Sequence, residues 1–212
     1  MVILINGTSS VGKSAIAREI HNTAKEPYLH FCMDAFFEML CPRFMALGAD
    51  HLEKRDGEGR LGFYTSNTSA GYRINAGILG EKLDRALPFC IAECARQGLN
   101  LVVPTIISTK NLMEIYKEAL ADFDTFVVYI DCAREEIQRR ETARGDRLPG
   151  TSLDLLDRFE TANDCNLKLD STNCLPKNLA KEILHKVELW ENKQTKPDIA
   201  TILMTVLNGV MP

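Results

Sequence analysis

The stretch GTSSVGKS, residues Gly7–Ser14, decides the fold of this 212-residue chain. It follows the apolar run VILIN (residues 2–6) and precedes the helical pattern KSAIAREIHNTA. Between a strand and a helix, G-x-x-x-x-G-K-[ST] is a loop whose backbone N–H groups bind phosphate oxygens. A glycine turn with a chance lysine is the alternative that this context disfavours. We therefore predict a nucleoside triphosphate site built by eight residues, Gly7, Thr8, Ser9, Ser10, Val11, Gly12, Lys13 and Ser14.

Two side chains of this loop have distinct predicted roles. Lys13 reaches the β- and γ-phosphates, and the hydroxyl of Ser14 is a ligand for Mg²⁺. The helix that starts near Lys13 adds the positive end of its dipole. The predicted cofactors are thus a nucleoside triphosphate and magnesium.

Composition excludes several other classes of protein. Apolar residues make up 45% of the chain and charged residues 25%, which is typical of a soluble globular domain. A net charge of −4 argues against nucleic acid as the main partner. No run approaches the roughly 20 apolar residues that span a membrane, so we expect no membrane partner. The seven scattered cysteines suggest neither a disulfide framework nor a zinc site. We expect a cytoplasmic protein.

Short apolar runs alternate with helical patterns along most of the chain. This alternation predicts an α/β fold, with a parallel sheet of about five strands flanked by helices. We expect loop with one short element over residues 42–69. A long helix is predicted over residues 72–97, kinked or broken at Pro88.

Asp34 closes the second predicted strand, YLHFCMD, and is the candidate catalytic carboxylate. Ligands of open α/β sheets bind at the carboxyl ends of the strands, so Asp34 and the phosphate loop should face one crevice. A carboxylate there can orient an acceptor hydroxyl and take its proton. Capping of the following helix is the alternative role. The guanine-reading N-K-x-D pattern of GTPases is missing, since the corresponding strand ends in YIDCARE.

The segment RRETARGDR, residues 139–147, is predicted to form an arginine-bearing lid. Guanidinium groups stay charged and bind the oxygens of a transferring phosphoryl group. We assign Arg144 and Arg147 to catalysis and Arg140 to cofactor binding. Arg139 is expected to be a solvated residue paired with neighbouring glutamates.

Three segments, INGTSSVGKS, FCMDAFFEML and above all RRETARGDRLPG, resemble the chloramphenicol phosphotransferase family of small kinases. The resemblance implies a nucleotide-kinase-like fold, ATP and Mg²⁺ as co-substrates, and O-phosphorylation of a small-molecule hydroxyl. Matched by motif, it implies Asp34 as catalytic aspartate, Lys13 as phosphate lysine, and Arg144 and Arg147 as lid arginines. Residues 1–192 would form the kinase domain, with the lid at about 142–150 and the acceptor region at about 34–75. Residues 193–212 would be a linker and a short apolar tail.

Two segments depart from the family pattern. The third main strand ends in LVVPTIIS, without the acidic residues that members of the family carry there. Magnesium would then depend on Ser14, nucleotide oxygens, waters and Asp34. The second departure is an apolar set that fits either an aromatic acceptor pocket or a buried helix face, namely Met33, Phe36, Phe37, Met39, Leu40, Phe44 and Met45.

Several alternatives stay open at this point. The acceptor could be a sugar-nucleotide hydroxyl, as in zeta-toxin-like kinases, or a shikimate-like metabolite. The chain could also bind nucleotide with little turnover and act as a regulatory module. The tail could dock on its own domain or on a second copy, which would make a homo-oligomer.

Overall fold

The computed structural model describes residues 1–47, 57–69, 71–145 and 148–194. The strands are β1 (Val2–Asn6), β2 (Tyr28–His30), β3 (Met45–Ala46), β4 (Phe63–Thr68), β5 (Gly71–Ala76), β6 (Asn100–Pro104), β7 (Thr125–Asp131) and β8 (Leu167–Asp170). The α-helices are α1 (Lys13–Thr23), α2 (Met33–Phe37), α3 (Ile78–Arg96), α4 (Lys110–Ala119), α5 (Arg134–Arg144), α6 (Thr151–Asp157) and α7 (Pro176–Gln194). Short 3₁₀ helices cover Pro42–Phe44 and Glu58–Leu61.

The main sheet has five parallel strands in the order β2-β6-β1-β7-β8. β1 lies in the centre, and all of its residues are buried because helices cover both faces of the sheet. One hydrophobic core packs α1 and α7 against the sheet, and a second core on the other face packs α3 and α4. The predicted five-stranded parallel fold is confirmed.

A second, three-stranded sheet, in the order β3-β4-β5, was not expected. Its antiparallel pair, β4 and β5, covers part of the region where the sequence predicted loop, and extends into the predicted long helix. That helix therefore begins at Ile78 instead of residue 72. β5 alternates between apolar and polar residues, but β4 is mostly polar, and both strands are only partly buried, so the sequence signal for this pair is weak.

Helix α3 continues through Pro88, so the predicted break is wrong. Proline removes one N–H from the helical ladder, and this costs stability unless packing compensates. Pro88 is buried, and its neighbours Leu87 and Ile91 belong to the core, so tertiary packing outweighs the lost hydrogen bond.

Among residues 1–47, 57–69, 71–145 and 148–194, no helix is both long and apolar enough to cross a bilayer. The predicted apolar tail lies outside the described residues. Lys193 and Gln194, which were expected to start the linker, instead continue α7, and the rest of the predicted linker also lies outside the described residues.

Candidate active site

The phosphate loop joins the end of β1 to the start of α1 through a tight turn. Gly7 and Gly12 have φ angles of 143° and 96°, in the region that favours glycine. A Cβ on Gly7 would lie 2.6 Å from the carbonyl oxygen of Ile130, so a larger residue would displace the centre of the sheet. The backbone of this loop therefore requires glycine at both fixed positions of the motif.

Asn6 links the start of the loop to the segment that follows β6 through hydrogen bonds. Its Oδ1 accepts hydrogen bonds from the backbone N–H of Gly7, at 2.9 Å, and of Ile107, at 2.8 Å. Its Nδ2 donates to the carbonyl oxygen of Ile107. Asn6 is buried, so these bonds hold the loop rigidly at the carboxyl edge of the sheet.

Lys13 is buried at the first position of α1. Its Nζ donates to the carbonyl oxygens of Gly7, at 2.8 Å, and Thr8, at 2.5 Å. The ammonium group therefore lies inside the curve of the loop, where phosphate oxygens are expected. Ser14, the next residue, is exposed and faces the same cavity.

Two hydroxyls of the predicted phosphate site point away from the site. The Thr8 hydroxyl donates to the carbonyl oxygen of Ser152, at 2.9 Å, and the hydroxyls of Ser10 and Ser152 lie 3.1 Å apart. The loop is therefore fixed to the first turn of α6, and only the backbone groups of Thr8 and Ser10 remain as candidates for phosphate binding.

The phosphate loop opens into a cavity of about 410 Å³. Three parts of the chain meet there: the loop with α1, the ends of β2 and β6, and one face of α5. The residues that line the cavity are Ser9, Ser10, Gly12, Lys13, Ser14, Ala15, Cys32, Met33, Asp34, Pro104, Ile106, Arg139, Arg140, Ala143 and Arg144. The sequence-predicted residues Lys13, Ser14, Asp34, Arg140 and Arg144 are thus brought together.

Asp34 lies in the first turn of α2, is exposed, and lines the cavity. The N-cap of α2 is Cys32, so Asp34 does not occupy the capping position considered as its alternative role. In the described part of the chain, Asp34 is the carboxylate that lines this cavity, together with cationic side chains of the loop and α5. A negative group therefore borders the predicted phosphate site.

The arginines of α5 make two kinds of contact: ion pairs with a glutamate of the same helix, and contacts with the cavity. Arg139 forms the expected ion pair with Glu136, at 2.7 Å, although its side chain also borders the cavity. Arg140 pairs with Glu136 as well, and hydrogen bonds from the two arginines lower the pKa of that carboxyl to about 2. Arg144 borders the cavity at the last position of α5. Arg147 lies outside the described residues.

Arg140 connects α5 to the phosphate loop and to the end of β8. Its guanidinium group donates to the carbonyl oxygen of Val11, at 3.3 Å, and to that of Ser171, at 2.7 Å. The Ser171 hydroxyl donates to the same Val11 carbonyl, at 2.8 Å. Arg140 therefore fixes the second half of the loop to α5 and to the end of β8.

Glu141 is a functional candidate that the sequence reading missed. It belongs to a highly charged helix, yet it is 4% exposed and accepts three hydrogen bonds from the segment that starts α6. A single acidic residue in a highly charged helix gives no periodic signal of burial. Its place in the segment RRETARGDRLPG and its spacing before residues 150–152 are the sequence clues, and their meaning needs the fold.

The end of β6 carries no acidic residue, and this is the first of the two departures from the family pattern. Thr105 is fully buried there, and its hydroxyl is hydrogen-bonded to that of Tyr116, at 3.0 Å. Pro104 and Ile106 line the cavity on either side of it. The cavity wall next to Asp34 is therefore apolar where an acidic group was expected from the family pattern.

Most of the apolar set on and after α2 packs away from the cavity. Phe36 and Phe37 pack against the second core, and the ring of Phe37 lies 4.8 Å from that of Phe63. Met39 is 79% exposed, while Met33 lines the cavity. Phe36 and Phe37 therefore fit the interpretation as a packed helix face, whereas Met33 borders the cavity and Met39 fits neither interpretation.

The guanidinium group of Arg73, on β5, is bound by a carboxylate. It donates to both carboxylate oxygens of Asp154 on α6, at 2.7 to 3.1 Å. Arg158 pairs with the same carboxylate. Burial alone would raise the pKa of Asp154, but the hydrogen bonds from these arginines bring it below its ordinary value. The pair ties the second sheet to α6.

Three of the solved structures similar to this chain are kinases. A sugar kinase from Janibacter sp. HTCC2649 has a TM-score of 0.59 and 16% identity, covering 87% of this chain and 92% of its own. A gluconokinase from Sinorhizobium meliloti 1021 has a TM-score of 0.59 and 17% identity, covering 92% and 97%. The APS kinase of Mycobacterium tuberculosis, solved with AMPPNP and APS, has a TM-score of 0.58 and 15% identity, covering 89% and 97%.

Together, the parallel sheet and its phosphate loop define a protein with the P-loop kinase fold. The family model described as chloramphenicol phosphotransferase-like protein matches residues 1–188, so the chain belongs to that family of phosphotransferases. A curated relative from Mycobacterium tuberculosis, named "Putative O-phosphotransferase", is 25% identical over 191 residues, covering 86% of this chain and 80% of the relative.

Proposed function

We propose that the protein transfers the γ-phosphate of ATP to a hydroxyl group of a small molecule. One observation carries the proposal: Lys13, Ser14, Asp34 and Arg144 line a single cavity. Lys13 would bind phosphate, and Ser14 would be an oxygen ligand for a cation. Asp34 would accept a proton, and Arg144 would place a positive charge next to the transferred phosphoryl group. Residues 1–192 would act as the kinase domain, with the lid at about 142–150 and the acceptor region at about 34–75.

The phosphate loop would hold the β- and γ-phosphates through the backbone N–H groups of Gly7–Ser14. Lys13 would turn its ammonium from the loop carbonyls towards phosphate oxygens, which compete for the same three donors. The N-terminal end of α1 adds favourable potential for the negative charge.

Magnesium fits the oxygen donors at this site. The Ser14 hydroxyl and the Asp34 carboxylate both line the cavity, and Mg²⁺ prefers hard oxygen ligands while keeping several waters. When bound, the cation would neutralise charge on the β- and γ-phosphate oxygens. Ser14 would hold it directly, and Asp34 could support its water shell, since Thr105 leaves the end of β6 without a carboxylate.

Asp34 would orient the acceptor hydroxyl and take its proton. The hydroxyl oxygen forms a bond to the γ-phosphorus while the bond from that phosphorus to the bridging oxygen of ADP breaks. Arg144, together with Arg147 of the lid, would stabilise the charge on the equatorial oxygens. The products are ADP and a phosphate monoester.

The wall formed by Met33, Pro104 and Ile106 favours an acceptor with apolar surface next to its hydroxyl. A chloramphenicol-like alcohol meets that description, and the family assignment makes it the first acceptor to test. The seven free cysteines fit a reducing, cytoplasmic location.

The experiment is a coupled assay of ADP release with ATP and Mg²⁺, run with and without chloramphenicol. A panel of sugar, sugar-nucleotide and shikimate-like alcohols extends it to the other acceptors. Acceptor-dependent ADP release supports the proposal. Tight ATP binding with no stimulation by any alcohol would favour a nucleotide-binding regulatory module, for which the apolar end of β6 is the supporting feature.

A further inference from the structure

Glu141 is a buried carboxylate in the helix that carries the arginines of the site. One oxygen accepts hydrogen bonds from the Ser152 backbone N–H, at 2.8 Å, and from the Thr151 hydroxyl, at 2.9 Å. The other accepts from the Gly150 backbone N–H, at 2.7 Å. Burial would raise the pKa of Glu141, but these bonds bring it below its ordinary value, so the group stays ionised at neutral pH.

The segment held by Glu141 is the one that contacts the phosphate loop. Ser152 is fully buried; its carbonyl accepts the hydrogen bond from Thr8, and its hydroxyl contacts that of Ser10. A continuous chain of hydrogen bonds therefore runs from Glu141 through Ser152 to the first half of the loop.

Helix α5 also reaches the second half of the loop, through Arg140 and the Val11 carbonyl. Arg144 lies one turn beyond Arg140 on the same side of the helix. The loop is thus fixed to α5 at two points, and the position of Arg144 relative to the phosphates depends on both.

We propose that Glu141 is a positioning residue that holds the arginine-bearing helix α5 and the phosphate loop in register through Ser152. Glu141 is not among the residues that line the cavity, so it would act through Ser152 and not by direct contact with the reactants. Its influence on phosphoryl transfer rests on the proposed function, whereas its effect on the loop does not. The transition state requires closer placement of arginine and phosphate than nucleotide binding does, so loss of Glu141 should affect transfer more than affinity.

Glu141→Gln is the direct test, because the amide keeps the size of the side chain. Its NH₂ group would face a backbone N–H of Gly150 or Ser152, so one donor loses its acceptor. Glu135→Gln is the matched control, since Glu135 is an exposed residue of the same helix and undergoes the same change of charge.

The first readout is amide hydrogen exchange at residues 148–152 and 8–12, with and without Mg²⁺ and the non-hydrolysable analogue AMPPNP. Glu141→Gln should speed exchange in both segments by about tenfold, as expected for loss of one charge-assisted hydrogen bond. Glu135→Gln should change neither. Faster exchange at 148–152 with an unchanged loop would reduce Glu141 to a local helix cap and overturn the proposal.

Thr8→Val provides a second variant that leaves Glu141 intact and removes the hydrogen bond to Ser152. It should also speed exchange in both segments. In the double variant Glu141→Gln/Thr8→Val, the increase in exchange rate at residues 8–12 should be smaller than the product of the two single increases. Both substitutions break the same chain of hydrogen bonds. Independent, multiplying effects would contradict the proposed link, as would an unchanged 148–152 segment in Thr8→Val.

The second readout is the split between kcat and nucleotide affinity. With any acceptor that supports turnover, Glu141→Gln should lower kcat by about tenfold and change the Kd of AMPPNP by less than about threefold. An equal loss of kcat and of affinity for AMPPNP would contradict a positioning role for Glu141. If the wild-type protein phosphorylates no acceptor, the proposed function fails, while the exchange data still decide the role of Glu141.

Discussion

Lys13 and Asp34 line one cavity, from the first residue of α1 and the first turn of α2. These helices follow β1 and β2, whose carboxyl ends meet at the same edge of the sheet. β6 lies between the two strands, so the separation of the two helices is set by the sheet itself. The phosphate-binding lysine and the carboxylate therefore both lie on helices whose positions the sheet fixes, as group transfer requires.

Asp34→Asn should retain ATP affinity and lose most transfer. The amide cannot accept the hydroxyl proton, and general-base groups contribute about 10²- to 10⁴-fold to rate. Steady-state ADP release and nucleotide binding by calorimetry measure the two effects. Glu38→Gln, a nearby exposed change of the same charge, is the control and should leave both unchanged. An unaltered rate in Asp34→Asn would remove this carboxylate from the mechanism.

Arg144→Ala should lower kcat by about 10²-fold or more, with a smaller effect on the Kd of ATP. The guanidinium is expected to act on charge that develops only during transfer. Arg147→Ala should behave in the same way. Arg85→Ala, on the exposed side of α3, controls for the loss of a positive charge. A variant that binds nucleotide poorly but turns over normally at saturation would make Arg144 a binding residue.

Ser14→Ala should raise the Mg²⁺ concentration that gives half-maximal ADP release. The hydroxyl is the direct protein ligand proposed for the cation, and alanine offers no oxygen. Ser14→Thr keeps the hydroxyl and is allowed by the motif, so it should remain close to wild type. Titration of activity against Mg²⁺ at fixed ATP measures this. An identical Mg²⁺ requirement in Ser14→Ala would refute direct coordination.

Asp84→Asn should stabilise the protein at neutral pH. Burial in α3, with a smaller effect of Glu81, raises the pKa of Asp84 from 3.8 to about 6. The folded state therefore binds this proton more tightly than the unfolded state, and stability falls as pH rises through about 6. The raised pKa corresponds to a cost of at most about 3 kcal/mol at pH 7.5, which asparagine avoids.

Chemical denaturation at pH 7.5 and pH 4 measures this difference. The gain from Asp84→Asn should be present at pH 7.5 and small at pH 4, where aspartate is largely protonated in the folded state. Asp122→Asn, in an exposed turn, should give no gain at either pH. Equal gains at both pH values would show that ionisation is not the cause.

The main sheet and the phosphate loop were predictable because their signals are local. β1 is apolar at each position but its last, and the loop motif requires particular residues at fixed spacing next to it. Asp34 followed from the rule that sites lie at the carboxyl ends of strands. These features depend on periodicity and chemistry within about ten residues.

Features that depend on distant packing were not predictable. β4 and β5 are half-exposed strands whose pairing replaces part of an expected helix. Glu141 has the local sequence of a solvated residue, and only its contacts with residues 150–152 make it buried. Pro88 carries a strong helix-breaking signal, but the core around Leu87 and Ile91 overrides it.

The most direct test of phosphoryl transfer is mass spectrometry of acceptors incubated with ATP carrying ¹⁸O in the γ-phosphate. Chloramphenicol and the panel of alcohols would be supplied to wild-type protein and to Asp34→Asn. Our account predicts a phosphate monoester that carries the label, formed by the wild type and nearly lost in the variant. ATP that is bound but leaves no labelled ester on any alcohol, or equal product from the variant, would contradict it.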